Sequence, residues 1–216
     1  MKKLNIWDIL LFPKSIYRKL NDKKIPVIAG MFIVGIIDII LPILFSKSAI
    51  LFDRGQADLI FNIAAILICS AVVGAIDVVF FAMPLHDLFD WIGKKSNVRF
   101  GNNSIIKIMK VYLLAHVLVI PVNIILETLL FSLDLQNFTG SIPFGIQLIY
   151  YIIILYFDII MPIWFAAIIY RGISTIYDKF APLVKWLVFI AVFLWSTLLS
   201  YALSFIIEKL ILYVFR

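Results

Sequence analysis

Of 216 residues, 64% are hydrophobic and 15% are charged, where a soluble domain carries about 25% charged residues. With a mean hydropathy of +1.09, that balance excludes a soluble globular enzyme. It excludes a nucleic-acid-binding domain as well, because the net charge of +6 comes from lysines and arginines grouped at the ends of apolar runs.

Residues 1–24 read as a cytoplasmic amphipathic arm. Leu4, Trp7, Leu11, Ser15 and Arg18 follow one helical track, Lys14 and Lys19 are interleaved, and Pro13 divides the stretch. A basic amphipathic segment of this kind lies in the membrane interface, with Lys14, Arg18 and Lys19 on anionic headgroups. The same surface could dock a cytosolic partner. Basic positions interrupt the apolar ones throughout, so no cleavable signal peptide is expected.

Residues 25–216 read as one all-α polytopic bundle. About 20 apolar residues cross the hydrocarbon core, which places five spans near 25–45, 59–84, 111–133, 143–169 and 186–207. Short connections favour antiparallel neighbours. After the second span, Leu85, Leu88, Phe89 and Ile92 recur at helical spacing ahead of Lys94 and Lys95, a second candidate for an interfacial anchor. Cys69 is the single cysteine and lies in the second span, so no internal disulfide is expected.

The basic residues set the orientation. Lys2, Lys3, Lys14, Arg18, Lys19, Lys23, Lys24, Lys94, Lys95, Arg99, Lys107, Lys110, Arg171, Lys179 and Lys185 fall on one side, with only Lys47, Arg54, Lys209 and Arg216 on the other. Fifteen against four puts the N-terminus in the cytoplasm and the C-terminus outside a cell membrane.

Four acids interrupt the spans. Asp38, Asp77, Glu127 and Asp158 each sit in a run free of lysine and arginine, where such a residue raises insertion cost by about 2.5–3.5 kcal/mol. Helical rise puts Asp38 and Glu127 about 4 and 8 Å outward of their span centres, and Asp77 and Asp158 about 8 and 3 Å inward. Such a ladder suits a proton or cation path. The alternatives are protonated acids that hydrogen-bond to neighbouring helices, or wet polar pockets without transport.

Prolines 42, 121 and 162 mark expected kinks. Asp38-Ile39-Ile40-Leu41-Pro42-Ile43 and Asp158-Ile159-Ile160-Met161-Pro162-Ile163 share a pattern in oppositely directed spans, a hint of inverted pseudo-symmetry. In each, proline has no N–H for the carbonyl four residues back, which belongs to the aspartate itself. Ser196, Ser200 and Ser204 recur every four residues, and with Ser70, Gly74 and Gly30 they read as helix-packing features.

Enzymatic motifs are missing. There is no His-Glu-x-x-His, no Gly-x-Ser-x-Gly and no Gly-x-Gly-Asp. His86, Asp87 and Asp90 have a spacing that could hold a surface metal but read as the wet face of a helix, and no cofactor is expected. His116 sits alone in the third span and is expected to hydrogen-bond within the bundle. Asn137-Phe138-Thr139 is a glycosylation sequon on the outer side.

Three stretches resemble the Yip family, five-span membrane proteins named for binding Ypt/Rab GTPases, and especially its bacterial branch. They are Leu10-Leu11-Phe12-Pro13-Lys14-Ser15-Ile16-Tyr17, the run from Tyr112 to Glu127 around Pro121, and Ile163-Trp164-Phe165 through Tyr170-Arg171-Gly172-Ile173 to Ala181. The Asp-Leu-Tyr-Gly-Pro and Gly-Tyr-x-x-x-Pro segments of eukaryotic members are missing. The resemblance implies a five-span bundle with a cytoplasmic N-terminus and no catalytic chemistry. The expected function is a non-enzymatic membrane protein that organises or binds other membrane components, a membrane protein or a second copy of itself among them. The alternative is a small proton- or cation-coupled permease using the embedded acids.

Overall fold

The computed structural model describes residues 6–46, 56–95, 104–133, 143–177 and 181–214. Two short helices, α1 (Ile6–Leu10) and α2 (Lys14–Arg18), precede α3 (Ile25–Ser46), α4 (Gln56–Lys95) and α5 (Ser104–Ser132). Helix α6 (Phe144–Leu155) passes through a π-helical turn, Tyr156–Ile160, into α7 (Met161–Ile176), and α8 (Pro182–Val214) closes the described chain. The described residues are all-α. Five stretches are long and apolar enough to cross a membrane: Ile25–Ile43, Ile60–Lys94, Ser104–Ser132, Phe144–Ile176 and Leu183–Ile211. This is a polytopic helical bundle.

The helices outrun the predicted spans. The apolar count measures only what crosses hydrocarbon, whereas a helix satisfies its own backbone and can continue into the interface. The second span is the clearest case. Helix α4 continues past Pro84 to Lys95, so Leu85 and Phe89 are buried in the bundle instead of lying in the interface as a separate anchor. Pro84 leaves the Phe80 carbonyl without its helical donor. The Trp195 indole N–H of α8 donates to that carbonyl at 3.2 Å, which explains how the helix carries the proline.

Helices α3 and α4 make the closest approach. A Cβ on Gly35 would land on the Ser70 carbonyl oxygen, and one on Gly74 on the Met31 carbonyl oxygen. The two backbones therefore touch, as small residues allow where lipid supplies no hydrophobic drive for association. Along α8 the buried track is Val188, Val192, Ser196, Leu199, Leu203, Ile207 and Ile211. Its steps mix three and four residues. Steps of four alone rotate about 40° each, so Ser196 is buried while Ser200 and Ser204 turn outward.

The N-terminal arm is folded back onto the bundle. Tyr17 is 1% exposed. Its hydroxyl shares one proton between the Leu11 carbonyl at 2.9 Å and the Ile168 carbonyl at 3.3 Å. Gly172 leaves the room this ring needs, since a Cβ there would strike Tyr17 and Val111. Trp164 donates to the Leu10 carbonyl at 2.8 Å, Arg171 pairs with Asp8, and the Lys110 ammonium reaches the Asn21 carbonyl at 2.6 Å. Phe12, at the corner between α1 and α2, has φ 58°, a left-handed conformation that costs about 1–3 kcal/mol unless its surroundings hold it. The anchored Leu10 and Leu11 carbonyls just before it do so.

Candidate functional site

The site begins with Asp77. Helix α4 runs far enough that Asp77 falls at the middle of the Ile60–Lys94 stretch, where sequence spacing put it well inward. It is 2% exposed. Tyr112 of α5 donates its hydroxyl to Asp77 Oδ1 at 2.6 Å, and His116, one turn further along α5, brings Nε2 to 3.9 Å from Asp77 Oδ2. His116 thus has polar partners within the bundle, as its sequence position predicts. Among the described residues no lysine or arginine pairs with Asp77, but an imidazole stands beside it.

Geometry fixes the imidazole's tautomer. His116 Nδ1 lies 3.1 Å from the Tyr112 carbonyl oxygen. A carbonyl only accepts, so Nδ1 carries the proton and Nε2 faces the carboxyl group either bare or protonated. Aromatic rings enclose the group. Phe81 stacks on Tyr112 at 3.9 Å, and Phe165 of α7 meets Tyr112 and His116 edge-on at 5.5 and 5.0 Å. Asp38 of α3 lies close enough for its charge to act on both Asp77 and Tyr112. One helix face thus supplies phenol and imidazole, two other helices supply the acids, and a fourth closes the site. Such a set can hold a hydrogen-bonded polar core or pass a proton between its members.

The other two acids stand elsewhere. Glu127 is half-buried on the far part of α5, and Asp158 is exposed on the π-helical turn. The matching Asp38 and Asp158 segments therefore end in different settings, one in the bundle and one on its surface. Pro42 and Pro121 lie within continuous helices, and Pro162 opens α7 directly after the π turn. Met161 N–H reaches back five residues to the Tyr156 carbonyl, so the break in the regular ladder precedes Pro162.

Lys14, Arg18, Lys19 and Lys94 are exposed, and Lys94 holds Asp90 at 2.8 Å. The Lys95 side chain and the sequon Asn137-Phe138-Thr139 lie outside the described residues. His86 contacts Asp87 at 3.3 Å, and among the described residues no three His, Cys, Asp or Glu side chains gather as a metal site would require. Outside the spans, burial pushes the Tyr177 phenol up to about 12, offset in part by its hydrogen bond with Ser104.

Tyr112 was absent from the sequence-based candidates. Its signal was present: Tyr112 and His116 are four apart, hence on one face of one helix. No protein-family model, curated protein or solved structure matches this chain.

Proposed function

We propose that this chain is a non-enzymatic, Yip-like membrane protein with its N-terminus in the cytoplasm and its C-terminus outside, which organises or binds other membrane components. The observation that carries this reading is the separation of Glu127 and Asp158 from Asp77. Asp77 is closed in by Tyr112, Phe81 and Phe165, while Glu127 and Asp158 lie apart from it toward the bundle surface. A ladder for protons or cations needs its rungs within reach of one another. The arm supports the same reading. It presents Ile6, Trp7, Ile9 and Leu10 outward, beside Lys14, Arg18 and Lys19, a surface suited to anionic lipid.

The orientation rests on the sequence count of fifteen basic residues on the side of the N-terminal arm against four on the other. Cysteines at Lys19 and Gly145, in a Cys69→Ala background, test it. The Gly145 position faces open space, so a side chain fits there. Gly145→Cys should label from outside intact cells and Lys19→Cys only after the membrane is breached. The reverse pattern overturns the orientation.

The permease reading keeps one observation in its favour, the gathering of Asp38, Asp77, Tyr112 and His116. Liposomes containing the purified protein should show no protein-dependent dissipation of a pH gradient. A flux that disappears in Asp38→Asn or Asp77→Asn, with the protein still folded, would promote transport over binding.

A further inference from the structure

Asp158 occupies an unusual position for a carboxyl group. It is exposed on the outer face of the fourth membrane-crossing segment, in an open groove of ≈ 390 Å³ lined by Tyr151, Ile152, Ile154, Leu155, Asp158 and Ile159. Trp164, which bonds to the arm's Leu10 carbonyl, marks the level at which the arm crosses this segment. Asp158 lies six residues deeper, about 9 Å by helical rise. A side chain with one methylene cannot reach headgroups from there, so its neighbour in a membrane is either hydrocarbon or another helix.

The Asp158 carboxyl group is the acidic member of a lining that is otherwise apolar apart from the Tyr151 ring and hydroxyl. It sits on a π-helical turn, a feature frequent at functional sites. The lysines and arginines of the described spans stand near the span ends, among them Lys107, Lys110, Arg171 and Lys209.

We propose that this face docks a transmembrane helix of another protein carrying a lysine or arginine at the depth of Asp158. The proposal names the partner chemistry of the binding function above and rests on it. Ammonium and guanidinium groups carry the charge opposite to a carboxylate and donate hydrogen bonds to it. A second copy of this chain fits less well. In a parallel two-fold pair like faces like, so Asp158 meets Asp158, and the Tyr151 hydroxyl stands seven residues, about 10 Å, along the helix from it.

The test uses the full chain in vesicles, with a donor fluorophore on Gly145→Cys in the Cys69→Ala background. Acceptor-labelled leucine helices are added that carry one central lysine, one central aspartate or leucine throughout. Energy transfer should report association of the lysine helix about tenfold tighter than the all-leucine helix. The preference should vanish in Asp158→Leu and weaken in Asp158→Asn, which keeps an acceptor but no charge. Because Asp158 is exposed, both variants should fold. Equal association of the lysine and leucine helices, or a lysine preference that survives Asp158→Leu, overturns the proposal. So does Asp158-dependent self-association without added helix, which would make a second copy the occupant. Proton flux read in the same vesicles keeps the two levels apart. Failed association without flux removes only the docking proposal, whereas flux removes the binding function on which it rests.

Discussion

Helix α5 is apolar along its length, yet its two halves meet different surroundings. Residues 104–119 bury eight side chains, from Ser104 to Val119, and residues 120–132 bury none. The same contrast runs along its neighbour: α6 buries only Ile153, whereas α7 buries Ala166, Ile168, Ile169, Gly172 and Ile173. Hydropathy does not explain the contrast between these regions, since the sparsely buried α6 is the more apolar of its pair. What separates them is close backbone approach and polar pairing, which drive helix association where lipid is as apolar as the side chains. The end near the arm has Gly172 under Tyr17, Tyr112 on Asp77 and Lys110 on Asn21. Between the far part of α5 and the π turn, the side-chain hydrogen bond among the described residues is a long one, from Tyr156 to Asn123 at 3.2 Å. Packing has settled one region, and the acids left over lie in the other.

The contrast breaks most easily where backbones touch. Gly74→Leu must separate α3 from α4 and should cost about 3 kcal/mol, the upper range for overpacking, whereas Gly145→Leu meets open space and should leave thermal unfolding in detergent unchanged. If the two variants melted alike, the α3–α4 contact would not be what holds the bundle.

Next comes the polar core. Tyr112→Phe leaves the Asp77 carboxyl group without its donor and should destabilise by about 1–3 kcal/mol. Asp158→Asn, on the exposed face, should shift the same melt little. A double-mutant cycle over Tyr112 and Asp77 should return a coupling of about 1 kcal/mol. Additivity would mean that the hydroxyl and carboxyl groups do not act on each other.

These two predictions also divide what could be read from the sequence from what could not. The five spans and the four costly acids are properties of single segments, so composition and periodicity expose them. The pairing of Asp77 with Tyr112 and His116 joins α4 to α5, and no period within either helix encodes it. Leu85 and Phe89 show the opposite limit. Their spacing is equally good for an interfacial helix and for a continuing one, and Trp195, 115 residues from Phe80, removes the break that Pro84 would otherwise impose. The arm's mixture of apolar and basic residues was visible in the sequence. Which of its residues turns inward was not, because Gly172 and the Ile168 carbonyl, distant in sequence, decide that Tyr17 does.

A smaller effect is expected at the arm. Tyr17→Phe keeps the buried ring and loses the bonds to the Leu11 and Ile168 carbonyls, worth about 1 kcal/mol. Hydrogen exchange over residues 6–18 should quicken about fivefold while α4 and α7 keep their protection. Unchanged exchange in the arm would mean that Trp164 and Arg171 hold it without the hydroxyl.

The smallest effect belongs to the sparsely packed region. Tyr156 donates to Asn123 at 3.2 Å, at the long end for a hydroxyl donor, and this is the one side-chain bond between α5 and the π turn among the described residues. Interhelical hydrogen bonds in membranes average about 0.6 kcal/mol, because an unpaired group finds other partners within the bilayer. Tyr156→Phe should therefore shift stability by less than about 0.6 kcal/mol, well below Tyr112→Phe, although each variant deletes one phenol hydroxyl. The decisive quantity is the difference between the two in a single detergent melt. A Tyr156→Phe loss as large as that of Tyr112→Phe would mean that α5 and the π turn are held together as firmly as the core, and that the far region is not a surface waiting for a partner.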